Sequence, residues 1–250
     1  MKKNFLLATI ISTSLLLISF ANASNSPAPS MNAADIAVAA DNDSMEVDAS
    51  LDNASFASTL YSNLALKSKG LSEKVVLYAI NGYRKLEAQG KVNTPLLTII
   101  DMEQSSRKKR LYIIDMEKQE LVWNTFVSHG KNSGIDKATR FSNRVNSNQS
   151  SLGFYVTTNT YFGKHGLSLR LRGQENGFNH NAEARAIVVH GADYVNASRV
   201  NSAYMGRSLG CPALPSNESA KVINMIKDGS VMFIYHPTNS YVSASKMIRA

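Results

Sequence analysis

The 250-residue sequence contains one cysteine, Cys211, and it has few long apolar runs. A single thiol cannot form an intramolecular disulfide, so a disulfide-stapled fold is excluded and a free, reactive thiol has to be considered. The longest mostly apolar run, Phe5 to Phe20, is shorter than the roughly 20 residues that span a bilayer, which argues against a membrane anchor. Basic residues are missing locally, since residues 24–60 hold six Asp and Glu and no Lys or Arg.

The N-terminus has the organisation of a signal peptide. Met1-Lys2-Lys3 is a short basic start, the apolar run follows, and Ala21-Asn22-Ala23 supplies the small-x-small pattern of a cleavage site. We therefore interpret residues 1–23 as a signal peptide that is cleaved after Ala23. The mature protein is expected in the periplasm or cell envelope, with no integral membrane segment left after cleavage.

Composition and charge divide the mature chain. Residues 24–53 are rich in Ser, Asn, Ala and Asp and poor in large apolar residues, which predicts a flexible acidic leader. Residues 61–250 carry 25 Lys and Arg against 13 Asp and Glu, a net charge of +12. Such a basic surface attracts acidic polymers. A cell-wall polymer with free carboxylates fits an exported protein, and no nucleic-acid partner is expected because the sequence has no nucleic-acid-binding motif.

Two helices are predicted after the leader, over residues 55–69 and 72–89. Ser72 is placed to cap the second helix, and Gly90 is placed to end it. The apolar residues of the second helix recur at a spacing of three and four, which indicates one buried face. We interpret residues 54–92 as a helical brace on the domain that follows.

Residues 93–250 form a second predicted unit, a mainly β domain with one late helix from Ser216 to Lys227. Short runs of β-branched and aromatic residues alternate here with turn residues, as in a mostly antiparallel sheet system. Core positions are expected for Trp123, Phe126, Phe154 and Phe233. The predicted strands are Leu96–Met102, Leu111–Met116, Leu121–Ser128, Phe154–Tyr161, Leu167–Leu171, Ile187–His190 and Val231–Tyr235.

Cys211 and His190 are the two parts of a predicted thiol nucleophile. His190 follows the apolar residues Ala186 to Val189, so it is expected at the end of a buried strand. There its imidazole can take the thiol proton and form a thiolate–imidazolium pair. A backbone carbonyl near Gly191 is expected to orient the imidazole, and Gly191 to leave space for another chain segment.

The loop before the cysteine, Ser208-Leu209-Gly210-Cys211-Pro212, has the residue types that such a nucleophile needs. Pro212 keeps Cys211 extended, and Gly210 lets the backbone approach a substrate closely. Backbone N–H groups of Gly210 and Cys211 are expected to face a tetrahedral oxyanion. Ser208 is expected to fix the loop by hydrogen bonding.

Two interpretations of these residues compete with thiol catalysis. A lone cysteine is often a small buried hydrophobe. The second interpretation is a zinc site formed by His190 with the nearby His180 and Asp193. The sequence lacks the tight His-Glu-x-x-His spacing that zinc hydrolases usually have. We therefore predict neither a metal nor another cofactor.

The segments around both residues resemble the L,D-transpeptidases, the YkuD-like cysteine enzymes that remodel bacterial peptidoglycan. The resemblance is strongest to the murein L,D-transpeptidase catalytic-domain subgroup and covers residues of about 95–236. It is carried by His129-Gly130-Lys131-Asn132-Ser133-Gly134, Phe141-Ser142-Asn143, Ser150-Ser151-Leu152-Gly153, Arg185-Ala186-Ile187-Val188-Val189-His190-Gly191 and Gly206-Arg207-Ser208-Leu209-Gly210-Cys211-Pro212-Ala213.

This resemblance implies a YkuD-like β-sandwich or partly open barrel, with Cys211 as nucleophile and His190 as base. Enzymes of the family attack a peptide bond of a peptidoglycan stem peptide, form a thioester and transfer the acyl group to an amine or to water. Two positions depart from the wider family. Ala213 stands where an Arg usually follows the cysteine by two residues, and Leu209 stands where a His often precedes the Gly-Cys pair.

Candidate substrate contacts are Arg207, Arg185 and His129, with Arg199 as a further replacement for the missing Arg. Tyr161, His165 and Arg170 are expected to be scaffold, with contacts to carbohydrate or stem carboxylates as the alternative.

Three functions remain open at this point. The first is an L,D-transpeptidase, the second an L,D-carboxypeptidase or endopeptidase that uses water as acceptor, and the third a non-catalytic cell-wall-binding protein. The sequence leaves the oligomeric state undetermined.

Overall fold

The structure, a computed structural model, describes residues 33–249. The expected signal peptide and residues 24–32 of the expected leader lie outside the described residues. The chain divides into two units at residue 41; of the first, only the start of one helix is described, and the second holds all other elements. No helix in the described range combines the length and the apolar character needed to cross a bilayer.

Four α-helices and ten β-strands make up the described part. The helices are α1 (Ala33–Asn63), α2 (Glu73–Ala88), α3 (Ser216–Ile226) and α4 (Asn239–Val242), with 3-10 turns at Leu66–Lys69 and Ala197–Arg199. The strands are β1 (Leu96–Asp101), β2 (Leu111–Asp115), β3 (Glu120–Thr125), β4 (His129–Gly130), β5 (Gly153–Gly163), β6 (Gly166–Gly173), β7 (Val188–Ala192), β8 (Arg207–Ser208), β9 (Ala213–Pro215) and β10 (Val231–Tyr235).

The first helix begins earlier than the sequence pattern indicates. It starts at Ala33, inside the expected leader, and ends at Asn63, where the pattern placed a helix over residues 55–69. Alanine has the highest helix propensity, and the stretch from residue 33 to 40 contains several alanines. Hydrophobic periodicity gives no signal for such a stretch, so its start was not predicted.

The second helix agrees closely with its prediction. The Ser72 hydroxyl accepts from the Val75 N–H at 3.4 Å, which confirms the predicted cap. The helix packs against β1 and β10. At Gly82 it approaches the sheet so closely that a Cβ would lie 2.0 Å from Cζ of Phe154. The brace therefore rests directly on the core of the following domain.

Eight strands form one sheet in the order β3-β2-β1-β10-β5-β6-β7-β9. The pairs β1/β10 and β7/β9 are parallel and the others antiparallel, so the expected mainly β, mostly antiparallel architecture is confirmed. Phe154 and Phe233 are fully buried and stack at 4.2 Å between ring centroids, as expected for core residues. Phe126 is also buried, in a small separate cluster with Val195 and Met205.

Trp123 differs from its prediction because it lies on the edge strand β3 and is only half-buried. Its indole Nε1–H donates to Oε2 of Glu218 at 3.0 Å, and the Lys221 ammonium lies 4.5 Å from its ring. Both partners belong to α3, which follows directly after β9 at the other edge of the sheet. This contact links the two edges of the sheet, which has a partly open, barrel-like form.

Candidate active site

The parallel pair β7/β9 brings the predicted nucleophile and base together. His190 is the partner of Ala213 in the register. Cys211 precedes Ala213 by two residues and Val188 precedes His190 by two. Cys211 lies just before β9 and therefore next to β7, and both residues line one cavity. Cys211 is half-buried; its Sγ accepts from the Val188 N–H at 3.5 Å and donates to the Ala186 carbonyl at 3.6 Å.

The His190 imidazole is held in one orientation. Its Nδ1 lies 2.8 Å from the carbonyl oxygen of Gly191, so Nδ1 carries the proton and Nε2 is left as the basic nitrogen. His190 is 3% exposed, and its ring stacks on the ring of His165, with centroids 4.3 Å apart and planes at 22°. A backbone carbonyl thus orients the imidazole, as the sequence suggested for the segment near Gly191.

Cys211 and His190 line the same solvent-open cavity, which has a volume of about 430 Å³. The turn between β5 and β6 forms one wall and the cysteine loop the other. All charged side chains in the lining are basic: Lys164, Arg185 and Arg207. The cavity is therefore suited to an anionic ligand.

The electrostatics of the site favour neutral forms of both reacting groups. Burial raises the pKa of the Cys211 thiol. The Val188 N–H and the charges of Arg185 and Lys164 stabilise the thiolate and lower this pKa, but the effect of burial is larger. Burial lowers the pKa of His190, although its hydrogen bond to Gly191 opposes this; His165 and Lys164 lower it further. At neutral pH the site therefore holds a thiol beside a neutral imidazole, and the preformed thiolate–imidazolium pair suggested by the sequence is not favoured.

Hydrogen bonds of Ser208 fix the cysteine loop. Its hydroxyl donates to the Cys211 carbonyl at 2.6 Å and accepts from the Gly210 N–H at 3.0 Å. The Gly210 N–H is therefore occupied and does not face an oxyanion as expected. Within the described residues the Cys211 N–H donates to no protein acceptor, so it remains available. Gly210 has φ +130, a conformation that only glycine adopts easily.

Arg185 organises the segment that supports this loop. Its guanidinium donates to the Ser142 carbonyl at 2.6 Å, to the Gln149 carbonyl at 2.5 Å and to the Ser151 hydroxyl. A Cβ on Gly210 would lie 2.9 Å from the same Gln149 carbonyl. Arg185 lines the cavity, but these protein acceptors engage its donors, so we assign it a positioning role.

The other two candidate substrate contacts have different surroundings. Arg207 lines the cavity, donates to the carbonyls of Lys131 and Gly134 at 3.1 and 3.3 Å, and covers the ring of Tyr204. His129 is fully buried and is not part of the cavity lining. Its Nδ1 accepts from the guanidinium of Arg110 at 2.9 Å, and its Nε2 donates to Gly134.

His129 therefore belongs to the protein interior, where the sequence suggested a substrate contact. Burial and the Arg110 charge lower the pKa of its imidazole to about 4. The strand pattern ends one residue before His129, and this made an exposed loop position the natural expectation. The pairing of β4 with β8 was not visible in the sequence because both strands are only two residues long.

Gly191 makes room for a helix. A Cβ there would lie 2.5 Å from the Ser219 hydroxyl of α3. The chain segment that the glycine was expected to admit is therefore α3, which packs against β7.

The two residues considered for zinc have protein partners. His180 Nδ1 accepts from Asn143 and the Gly177 N–H, and Asp193 accepts from the Ser216 hydroxyl at 2.6 Å. In the part of the chain that the structure describes, no three His, Cys, Asp or Glu side chains are grouped as metal ligands.

Two lining residues were missed by sequence reasoning. Lys164, in the turn between β5 and β6, lowers the pKa of both Cys211 and His190 through its charge. The pKa of the Tyr194 phenol is raised mainly by burial and also by the charge of the nearby Cys211. Neither lies in a recognisable motif. The position of Lys164 depends on the pairing of β6 with β7, which is a long-range contact.

A family model for the L,D-transpeptidase catalytic domain matches residues 67–235, more than half of the chain. The chain belongs to the L,D-transpeptidase family. The match begins within the predicted brace and includes Cys211, His190 and every strand from β1 to β10.

Solved structures of L,D-transpeptidases also align with the chain, at low similarity. An L,D-transpeptidase from Mycobacterium smegmatis is 14% identical, with 57% of this chain and 59% of that chain covered and a TM-score of 0.36. The helical cell shape determining protein Pgp2 from Campylobacter jejuni is 10% identical, with 63% and 57% covered and a TM-score of 0.37. The chain thus spans less than two thirds of these structures. None of the curated proteins matches it significantly.

This member of the family has Ala213 at the position, two residues after the cysteine, where the resemblance led us to expect an Arg. Ala213 is fully buried in β9 and belongs to the small cluster around Phe126. A guanidinium still acts on the thiol, since the charge of Arg185 stabilises the thiolate of Cys211. Leu209, at the other variant position, lines the cavity and is 59% exposed.

Proposed function

We propose that the chain is a peptidoglycan-modifying cysteine acyltransferase. In this proposal Cys211 forms a thioester with a stem peptide and transfers the acyl group to an amine. The observation that carries it is the shared cavity of Cys211 and His190, in which the Gly191 carbonyl leaves Nε2 of the imidazole free to act as a base. The basic lining supports an acidic stem peptide as the substrate.

The first half-reaction forms the thioester. As Sγ of Cys211 attacks the peptide carbonyl carbon, its proton passes to Nε2 of His190, so charge separates only during the attack. The oxygen of the tetrahedral intermediate accepts from the Cys211 N–H. The peptide C–N bond then breaks, and the imidazolium gives its proton to the departing amine.

The second half-reaction reverses these roles. An acceptor amine attacks the thioester carbonyl carbon and loses a proton to Nε2 of His190. The C–S bond breaks, and the thiolate of Cys211 recovers its proton from the imidazolium. Water in place of the amine would give hydrolysis with the same groups.

Mass spectrometry of purified tetrapeptide muropeptides incubated with the protein tests this proposal. Cross-linked dimers are expected, together with an acyl adduct on Cys211 in the intact protein. Cys211→Ser and His190→Ala should lose turnover, whereas His180→Ala, a histidine outside the cavity, should keep it.

The other outcomes of this experiment have defined meanings. Tripeptides without dimers would show an L,D-carboxypeptidase. Turnover by Cys211→Ser would refute the mechanism. Binding of peptidoglycan sacculi without any product would show a wall-binding protein.

We also propose that the protein acts in the cell envelope after removal of residues 1–23. The basic start, the apolar run and the Ala21-Asn22-Ala23 pattern support this. N-terminal sequencing of the protein from an envelope fraction should begin at Ser24, and an intact N-terminus in the cytoplasm would contradict it.

A further inference from the structure

Arg170 and Arg172 extend from the active-site cavity in a row along β6. In the antiparallel pair β6/β7, Ser168 lies opposite His190 and Arg170 opposite Val188, the residue whose N–H contacts the cysteine sulfur. Side chains two residues apart share a face at intervals of about 7 Å. Ser168, which lines the cavity, therefore begins a row that Arg170 and Arg172 continue.

A groove follows this row. A second cavity, of about 80 Å³, shares Ala186 to Val188 with the active-site cavity. A third, of about 440 Å³, shares Thr158, Asn159 and Arg172 with the second. The three cavities are therefore neighbours along β6, and we call the surface that they form together the β6 groove. The register of β5 shifts between Thr157 and Thr160, and this irregularity places Thr158 and Asn159 in the wall of the groove.

Two acidic residues, Glu183 and Asp228, also line these cavities, but neither is an ion-pair partner of the two arginines. Both arginine side chains are exposed, and in the described part of the chain neither forms an ion pair. The Arg170 guanidinium lies 4.5 Å from the ring centroid of Tyr161, which limits its freedom. A planar guanidinium held on an aromatic ring is well suited to bind a carboxylate through two hydrogen bonds.

We propose that the β6 groove binds the donor stem peptide in an extended conformation, with its carboxylates on Arg170 and Arg172. An extended chain repeats every two residues at about 7 Å, the same interval as the two arginines. The proposal rests on the proposed function, and it adds that carboxylates remote from the cleaved bond determine which peptides are accepted.

Kinetics with two synthetic stem tetrapeptides test the groove. One has free carboxylates, and in the other the glutamyl carboxylate is amidated. For the free peptide, Arg172→Gln should raise KM about 10-fold with little change in kcat, because the lost charge-assisted contact is the same in ground and transition states. Arg170→Gln should act in the same direction. The amidated peptide should bind the wild-type protein and Arg172→Gln equally.

Arg140→Gln is the matched control, because Arg140 is exposed and lines none of the three cavities. It should leave both peptides unaffected. An equal KM for the two peptides in the wild-type protein would overturn the proposal while leaving the acyltransferase function intact. If Arg172→Gln raised KM only for peptides that carry a disaccharide, this result would also overturn the proposal, and it would assign the groove to sugar binding.

Failure of the proposed function has a separate signature. If the wild-type protein turns over neither peptide, binding of both to Cys211→Ala by calorimetry still tests the groove. The groove is supported if amidation of the peptide weakens its binding to Cys211→Ala and if this difference between the peptides disappears when Arg172→Gln is added. Equal binding of the two peptides refutes it.

Discussion

Acidification should destabilise the fold through the buried His129. Its ring is fully buried against the Arg110 guanidinium, and its pKa falls from 6.5 to about 4. Between these two pH values the unfolded chain takes up a proton that the folded protein does not. Folding stability is therefore complete above pH 6.5 and is lost as the pH falls toward 4. A shift of this size corresponds to about 3 kcal/mol.

The variant His129→Asn isolates this contribution. The Asn amide oxygen can still accept from Arg110 but takes up no proton in this range. Asp101 and Glu175 are buried carboxyl groups whose pKa is raised, mainly by burial, and their protonation on acidification opposes the His129 effect in both proteins. Only the difference between the wild-type protein and the variant therefore reports on His129.

Urea unfolding at a series of pH values measures this difference, with fluorescence of the single tryptophan, Trp123, as the signal. From pH 6.5 to 4 the wild-type protein should lose about 3 kcal/mol more than His129→Asn. The variant is expected to start from a lower stability, because it loses the hydrogen bond to Gly134. Parallel curves for the two proteins would refute the assignment of His129 as a buried neutral group.

Two further predictions concern the brace and the electrostatics of the site. Gly82→Ala places a methyl group 2.0 Å from the Phe154 ring and should destabilise the fold by about 1–3 kcal/mol in urea unfolding; unchanged stability would mean that α2 does not press on the sheet. Lys164→Ala removes a charge that lowers the pKa of both His190 and Cys211, so both limbs of the pH–rate profile should move to higher pH. Lys164→Arg should restore them, and a profile that changes only in height would contradict the electrostatic role.

The sequence was most informative where local signals and burial agree. The strands around Ile99, Ile113 and Phe233 are short apolar runs between turn residues, and all of them lie in the sheet where expected. Ser72 caps its helix because a hydroxyl at that position satisfies an otherwise free N–H. The motifs around Cys211 and His190 led us to predict them as a pair, and both residues line one cavity.

Long-range contacts decided what the sequence could not predict. The burial of His129 depends on the two-residue pairing of β4 with β8 and on Arg110, which is distant in sequence. The engagement of the Gly210 N–H by Ser208 depends on the loop conformation, and residue type alone does not fix it. Lys164 reaches the site only because β6 pairs with β7, a register that no local pattern specifies.

The parallel pairing of β7 and β9 fixes the relative position of His190 and Cys211 independently of the chain segment that joins the two strands. The ladder, in which His190 faces Ala213, sets the offset between imidazole and sulfur. The linking chain between Asn196 and Tyr204 is partly exposed and contributes no residue to the ladder. Doubling the length of a flexible link costs only about 0.6 kcal/mol in closure entropy. This stretch is therefore a natural insertion point, where a reporter peptide or an added binding module could be grafted without moving the chemistry.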